Sequence, residues 1–195
     1  MKKILIINLF FAAAILQIAT PLSMIVRRET VLKSGVQFKF KAQPIDPFDA
    51  FRGRYVAIRI QGDEISAPQG EYFKYGQNIY AHIRVDETGF AGFSTGSAEK
   101  PQGIPYISAK VLYPPEDRQP ESKLRLSLPI DRYYMEENIA PAAERVYREH
   151  LRTDKQDAYV LVRVKDGFAV IEGLFVGGVP IEEAARASRA NAGSK

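Results

Sequence analysis

The chain has 195 residues, no cysteine and a formal net charge of +4. Without Lys2 and Lys3, which precede an apolar run, 25 basic residues face 23 acidic ones. This near balance gives no support for a nucleic-acid partner, which needs a clustered basic face. A chain of this length forms one domain that buries a core without disulfide or metal staples.

The first predicted element is a membrane-spanning helix at residues 4–26, after a short basic tail at residues 1–3. Ile4 to Val26 contains no charged side chain and is followed at once by Arg27 and Arg28. At about 1.5 Å per residue these 23 residues reach roughly 34 Å, enough to cross a hydrocarbon core of about 30 Å. The lipid bilayer is therefore the first predicted partner.

The same run has a second interpretation, a removable signal peptide. Apolar signal regions span about 7 to 15 residues and end at small residues spaced as A-x-A. Here Ala12, Ala13 and Ala14 lie inside the run, and the later candidate cleavage positions near Ala19 and Thr20 fit that template poorly. The length and the missing site favour a permanent anchor.

The charges that flank the run bear on membrane orientation. Basic residues after the run outnumber those before it, and a strict charge count favours a cytoplasmic domain. Long domains are translocated largely regardless of charge, however, and a very short basic tail before the span is typical of a signal-anchor. We therefore expect a single-pass protein of a bacterial inner membrane with a periplasmic C-terminal domain.

Residues 27–180 alternate apolar and polar side chains with a period of two, which is typical of half-buried strands. Turn residues separate the runs, and Asp166-Gly167 is suited to a type I′ hairpin turn. The predicted strands are Val36 to Lys41, Tyr55 to Ile60, Ile79 to Val85, Phe90 to Phe93, Ile107 to Tyr113, Lys123 to Leu128, Tyr159 to Val164 and Phe168 to Phe175.

Two segments have helical periodicity. Ile139 to about Leu151 places its apolar residues on one face, with Pro141 in the first turn. A shorter helix is predicted from Ile181 to Ser188, before a disordered tail within residues 181–195. The predicted fold class is α+β: one N-terminal transmembrane helix and a β-rich, mostly antiparallel domain with one main internal helix.

Residues 44–60 form the most specific local pattern. Pro47 fixes φ after Asp46, Asp49 is suited to cap a single helical turn, and Gly53 is suited to end it. These residues predict a rigid corner, that is, a tight turn that leads into a strand, and Phe48 and Phe51 fill it. Such a corner is explained by backbone geometry without any ligand.

This corner and a later segment carry a resemblance to a known family. The matching residues are Pro44, Asp46, Pro47, Asp49, Arg52, Gly53 and Tyr55, then Arg132, Tyr133, Tyr134 and Glu137. In these motifs, in its apolar N-terminal span and in its closing strands, the chain resembles the GDYXXLXY family of bacterial membrane-anchored proteins. The family has no established activity, and its members resemble companions of polytopic membrane proteins.

The resemblance departs inside the name-giving motif. Arg54 stands where the family has Asp, Ile58 where it has Leu, and Ile60 where it has Tyr. Ile58 keeps an apolar strand position, whereas Arg54 reverses a charge. A role that the family assigns to that acidic group therefore does not carry over to this chain.

An enzymatic alternative comes from Gly92-Phe93-Ser94-Thr95-Gly96, which fits G-x-S-x-G. Ser94 would be the nucleophile, His150 the base, and Asp131 or Asp154 the orienting acid. The motif needs a strand before it and a helix after it, whereas the sequence predicts a loop after Gly96. A Gly-rich hairpin is the competing interpretation.

The remaining patterns favour an interaction module without catalytic residues, metal or cofactor. His82 and His150 are isolated, and a cation site built from Asp86 and Glu137 is unsupported by their spacing. Aromatic residues are dense in the predicted strands, where they fit either a tyrosine-rich core or an interface.

We expect a membrane-tethered accessory module that contacts an integral membrane protein. The predicted binding residues are Asp46, Asp49, Arg52, Arg54, Tyr55, Arg132, Tyr133, Tyr134 and Glu137. The alternatives are an envelope-facing hydrolase that uses Ser94 and a small-ligand-binding domain.

Overall fold

The computed structural model of the chain describes residues 2–43, 55–66, 73–113, 123–152 and 155–192. Within these ranges the helices are α1 (Lys2–Ser34), α2 (Ala140–His150) and α3 (Ile181–Ala192). The strands are β1 (Val36–Gln43), β2 (Tyr55–Ala57), β3 (Arg59–Ile60), β4 (Glu64–Ser66), β5 (Asn78–Val85), β6 (Ala91–Ser97), β7 (Tyr106–Tyr113), β8 (Lys123–Ser127), β9 (Arg132–Tyr134), β10 (Ala158–Lys165), β11 (Phe168–Val176) and β12 (Val179–Pro180). The predicted α+β class is confirmed.

Helix α1 extends eight residues beyond the charge-free run. It continues to Ser34 because arginine, glutamate and lysine in this extension are good helix formers. Hydroxyl groups along the helix donate to carbonyls of the preceding turn, as Thr20 Oγ1 does to Leu16 O at 2.9 Å, so they need no outside acceptor. The stretch Ile6–Ser34, with a mean hydropathy of 2.1 in its most apolar part, is long and apolar enough to cross a membrane.

The last turns of α1 dock on the end of the β10–β11 hairpin. Val31 is buried, and the Arg27 guanidinium lies 4.3 Å from the ring centre of Phe168. Gly35 alone separates α1 from β1, and a Cβ at this position would lie 2.5 Å from Val31 O and 3.1 Å from Val164 O. Glycine is therefore required here for close backbone approach, and the helix enters the domain without a flexible linker.

Most strands belong to one sheet in the order β12-β11-β10-β1-β6-β5-β7-β8-β4, and β3 pairs with the end of β1. Neighbours are antiparallel except β1 and β6, which share the single parallel pair Phe40↔Ala91. The β10–β11 hairpin turns at Asp166 and Gly167, with φ of 51° and 78°, which confirms the predicted Asp-Gly turn.

Two hydrophobic cores lie on this scaffold. The larger one joins β1, β10 and β11 to α2 and α3, with Phe40, Leu174 and Ile181 fully buried. The smaller one lies among β4, β5, β7 and β8, around Ile79 and Leu124. Phe93 and Leu128 contact both cores.

Several boundaries differ from the sequence expectations. The predicted strand Tyr55 to Ile60 is split, because Ile58 N donates to Asp131 O at 2.8 Å between β2 and β3. Strand β6 extends to Ser97 rather than ending at Phe93. Helix α3 continues through Ala192, and its buried Ile181 packs into the larger core.

Candidate functional site

The candidate site is the two-stranded sheet of β2 and β9. Tyr55 pairs with Tyr134, Val56 with Tyr133 and Ala57 with Arg132 in antiparallel register. Strand β2 begins directly after residues 44–54, which carry the first family motif, and β9 carries most of the second. The sheet thus brings Tyr55, the last residue of the first motif, beside the second motif, although Tyr55 and Arg132 are 77 positions apart in the chain.

Three side chains of this sheet form a surface cluster, which we call the β2–β9 patch: Tyr55, which is half-buried, and the exposed Arg132 and Tyr134. The guanidinium of Arg132 lies 5.2 Å from the ring centre of Tyr55. The rings of Tyr55 and Tyr134 meet edge to face at 5.6 Å. Tyr134 is 61% exposed. Such a combination of apolar ring area with polar tips and an arginine is enriched where proteins bind other proteins.

The electrostatics of the patch are set by Arg132. A side-chain hydrogen bond with Tyr134 and then the charge of Asp131 raise the pKa of its guanidinium. Asp131 Oδ2 lies 3.5 Å from Arg132 Nε, and both side chains are largely exposed. The patch therefore presents a permanent positive charge flanked by one exposed carboxylate.

Tyr133 lies between the patch residues in sequence but faces the opposite way. Its hydroxyl donates to Glu182 Oε1 at the start of α3, with an O–O distance of 2.5 Å. Burial, followed by this hydrogen bond, raises the pKa of the phenol well above its ordinary value of 10.0. Tyr133 thus joins β9 to α3. Glu182 supports the site from within the helix that was predicted to begin at Ile181, and the sequence did not indicate its contact with β9.

The other predicted binding residues have different placements. Glu137 lies exposed in the turn between β9 and α2. Asp46, Asp49, Arg52 and Arg54 lie outside the described residues. The structure thus assembles Tyr55, Arg132 and Tyr134 into one surface and assigns Tyr133 to support.

Ser94 does not lie on a nucleophile elbow. It is an exposed residue within strand β6, which continues to Ser97, whereas the elbow needs a sharp turn into a helix. Gly96, the last glycine of the motif, has a packing explanation, since a Cβ there would lie 2.8 Å from the side chains of Ile65 and Ile79. The G-x-S-x-G pattern is therefore a strand that passes close to the smaller core.

The proposed partners of Ser94 are engaged elsewhere. His150 Nδ1 lies 2.7 Å from Asp157 Oδ1 near the turn after β11, and Asp131 pairs with Arg132. Asp154 lies outside the described residues. Ser94 instead borders a groove of about 670 Å³ that is also lined by Lys41, Arg84 and Phe90.

A second aromatic cluster was missed by sequence reasoning. The rings of Tyr159 and Phe175 stack at 5.1 Å, and Phe90 meets Tyr159 edge to face at 6.2 Å. Lys39 Nζ lies 3.9 Å from the Tyr159 ring centre, and Lys41 Nζ lies 4.8 Å from that of Phe90. The pairing of β6, β1, β10 and β11 brings these residues together, so alternation within one strand could not reveal the cluster.

The described residues contain no group of three or more His, Cys, Asp or Glu side chains placed to hold a metal ion. His82 Nε2 lies 3.0 Å from Ser97 Oγ across β5 and β6. Ser97 Oγ in turn donates to Glu99 O at 2.6 Å. This histidine thus takes part in a hydrogen-bond chain that ties the strand end to the following loop.

The fold and the site define a class of protein: a β-rich α+β domain joined directly to one long apolar N-terminal helix, with an exposed tyrosine–arginine patch. A family model described as GDYXXLXY protein matches residues 17–174. The chain belongs to the GDYXXLXY family, as its motifs indicated. Comparison with curated proteins and with solved structures found no match.

Proposed function

We propose that this chain is a membrane-anchored accessory module without catalytic activity, which binds an integral membrane protein through α1 and the β2–β9 patch. The lipid bilayer is its second partner. The membrane is the bacterial inner membrane, and the β-rich domain is periplasmic. The observation that carries the proposal is the contact of the exposed Arg132 and Tyr134 with the half-buried Tyr55, assembled from two distant motifs.

Helix α1 supports the membrane part of this proposal. The large apolar side chains from Ile6 to Val26 are more than half exposed, as for Phe10 and Leu16. Exposed apolar surface of this extent is unfavourable in water and is expected for a helix that contacts lipid or another membrane helix.

A photo-crosslinking experiment tests the partner. A photoreactive amino acid replaces Tyr134 in one variant and Tyr75, which is 74% exposed, in a matched control. After irradiation of native membranes, we expect a discrete crosslinked complex from position 134 only, with an integral membrane protein as its second component. Arg132→Ala should reduce its yield while the protein level stays constant. Equal labelling from both positions, or none from position 134, contradicts the proposal.

A small-ligand-binding role is the second candidate, because the groove beside Ser94 has the volume of a ligand site. Native mass spectrometry of the purified full chain tests it, since a retained small molecule that is lost in Arg84→Ala would favour it. Labelling with an active-site serine probe tests the hydrolase in the same preparation. No label in the wild type rules out Ser94 as a nucleophile.

A reporter that is active on only one side of the membrane, fused to Lys195, tests the orientation. We expect a periplasmic signal. A cytoplasmic signal would place the β2–β9 patch on the other side of the membrane without changing the rest of the proposal.

A further inference from the structure

A groove of about 350 Å³ lies beside the C-terminal end of α1, where the helix joins the domain. It is lined by Ser34 at the helix end, by the loop from Lys100 to Tyr106, and by the hairpin turn from Lys165 to Gly167. We call it the junction groove. Three segments that are separate in sequence thus form the groove next to the last turn of α1.

Hydrogen bonds tie the end of α1 to the domain. Gly35 N donates to Val31 O at 2.8 Å, and Gly35 O accepts from Arg163 Nη1 at 3.2 Å. Lys165 Nζ donates to Ser34 Oγ at 2.8 Å. These contacts tie the helix end to β10, so the groove lies directly beside the last turn of α1.

The distance from the bilayer to the groove follows from the helix. From Val26 to Ser34, at about 1.5 Å per residue, α1 rises roughly 12 Å. The headgroup layer beyond the hydrocarbon core is about 5 to 7 Å thick on each side. The groove therefore lies within roughly one lysine side chain of the headgroups, and within a Debye length of about 8 Å.

The side chains at the groove have the chemistry of a membrane-contacting surface. Ile104 is apolar and 48% exposed. Lys100 and Lys165 line the groove with one acidic residue, Asp166. On the adjacent helix surface, Arg27, Arg28 and Lys33 outnumber Glu29. With Glu99 next to the loop, the net charge of these eight charged residues is +2. Basic residues near the surface of an anionic bilayer are attracted to it, and exposed apolar side chains insert among headgroups.

We infer that the junction groove binds the phosphate groups of anionic phospholipids in the membrane that α1 spans, through Lys100 and Lys165, with Ile104 among the headgroups. This inference depends on the membrane span of the proposed function and is independent of the protein partner. It fixes the orientation of the domain on the bilayer and thereby the direction in which the β2–β9 patch faces.

The absence of cysteine allows a clean test by single-site labelling. Ile104→Cys, or Tyr113→Cys at the opposite end of β7, carries an environment-sensitive fluorophore in the full chain reconstituted into nanodiscs. The discs contain phosphatidylcholine alone or an equal mixture with phosphatidylglycerol, and a headgroup-attached nitroxide serves as quencher. We expect strong quenching at position 104 in the anionic discs, weaker quenching there in neutral discs, and little at position 113.

Charge reversal identifies the residues. Lys100→Glu should lower the docking equilibrium at position 104 roughly 30-fold, because the substitution removes one lysine's attraction to the surface and adds a repulsion of similar size. Lys110→Glu on β7, also exposed, is the matched control and should change nothing. Lys165 is left intact in the main variant because it also bonds to Ser34.

Two results would overturn the inference: equal quenching at positions 104 and 113, or quenching at 104 that Lys100→Glu leaves unchanged. Loss of the protein from the discs would instead contradict the membrane anchor itself. A docked domain without any crosslinked protein partner would contradict only the partner in the proposed function.

Discussion

The half-buried Tyr133 and the buried Tyr147 allow a test in which loss of the hydroxyl group changes stability in opposite directions. Tyr133 donates its hydroxyl hydrogen to Glu182 at 2.5 Å, whereas the hydroxyl of Tyr147, which is 3% exposed, has no hydrogen-bond partner among the described residues. Hydrogen bonds to charged groups contribute about 1.5 to 3 kcal/mol, and an unsatisfied buried polar group costs about 1 to 3 kcal/mol. Removing each hydroxyl therefore has a different consequence.

Tyr133→Phe should lower the free energy of unfolding by about 1.5 kcal/mol, near the lower limit because Glu182 is partly exposed and is rehydrated. Tyr147→Phe should raise it by about 1 kcal/mol. For a domain of this size, about 2 to 4 °C in Tm corresponds to 1 kcal/mol, so the two variants should differ by roughly 5 to 10 °C. Tyr134→Phe, at an exposed position, should stay within about 0.5 kcal/mol of the wild type.

The assay is thermal unfolding of the purified full chain in detergent, followed by circular dichroism. Shifts of the same sign in Tyr133→Phe and Tyr147→Phe would refute the hydrogen-bond assignment. A loss of stability in Tyr134→Phe as large as that in Tyr133→Phe would refute the division of β9 into a supporting face and an exposed face.

Two further predictions concern the junction and its neighbouring network. Gly35→Ala should cost about 1 to 3 kcal/mol, because the new methyl group meets backbone atoms. The control is Gly92→Ala, because a Cβ there meets nothing within 4 Å, and it should leave the Tm nearly unchanged in the thermal unfolding assay. Equal Tm values for Gly35→Ala and Gly92→Ala would contradict the packing argument. The hydrogen bond from Arg163, and then that from Gln37, lower the pKa of the Glu172 carboxyl below its ordinary value of 4.5. The contribution of the Glu172 carboxylate to stability is therefore present above pH 4.5 and is lost as the pH falls through the folded pKa. In acid denaturation curves, the stability difference between wild type and Glu172→Gln should shrink. A difference that grows at low pH would show that the sign is wrong.

The local sequence pattern was sufficient to predict those elements that depend on residues close to one another in the chain. The helix predicted from Ile139 to Leu151 is Ala140–His150 in the structure, because apolar spacing and a proline in the first turn act within one element. The turn at Asp166 and Gly167 was predictable for the same reason, since positive φ values select these residue types.

Pairing between distant strands was not predictable in this way. The register of Tyr55 with Tyr134 depends on how the larger core orients β2 and β9, and a period of two in each strand leaves partner and register open. The bulge between Leu161 and Val162 was likewise invisible, although it places Glu172 beside Arg163. The site was therefore found in sequence as two separate motifs and became one surface only through the fold.

The position of the patch relative to α1 restricts the kind of partner that it fits. Helix α1 docks where β11 begins, at Phe168, and the far end of β11 pairs with β12, which leads into α3. Glu182 at the start of α3 holds Tyr133, so the patch lies near this far end. At about 3.4 Å per residue, β11 spans roughly 27 Å. Under the proposed function, a partner that contacts both the apolar part of α1 and Tyr134 therefore needs an extramembrane part that extends along β11.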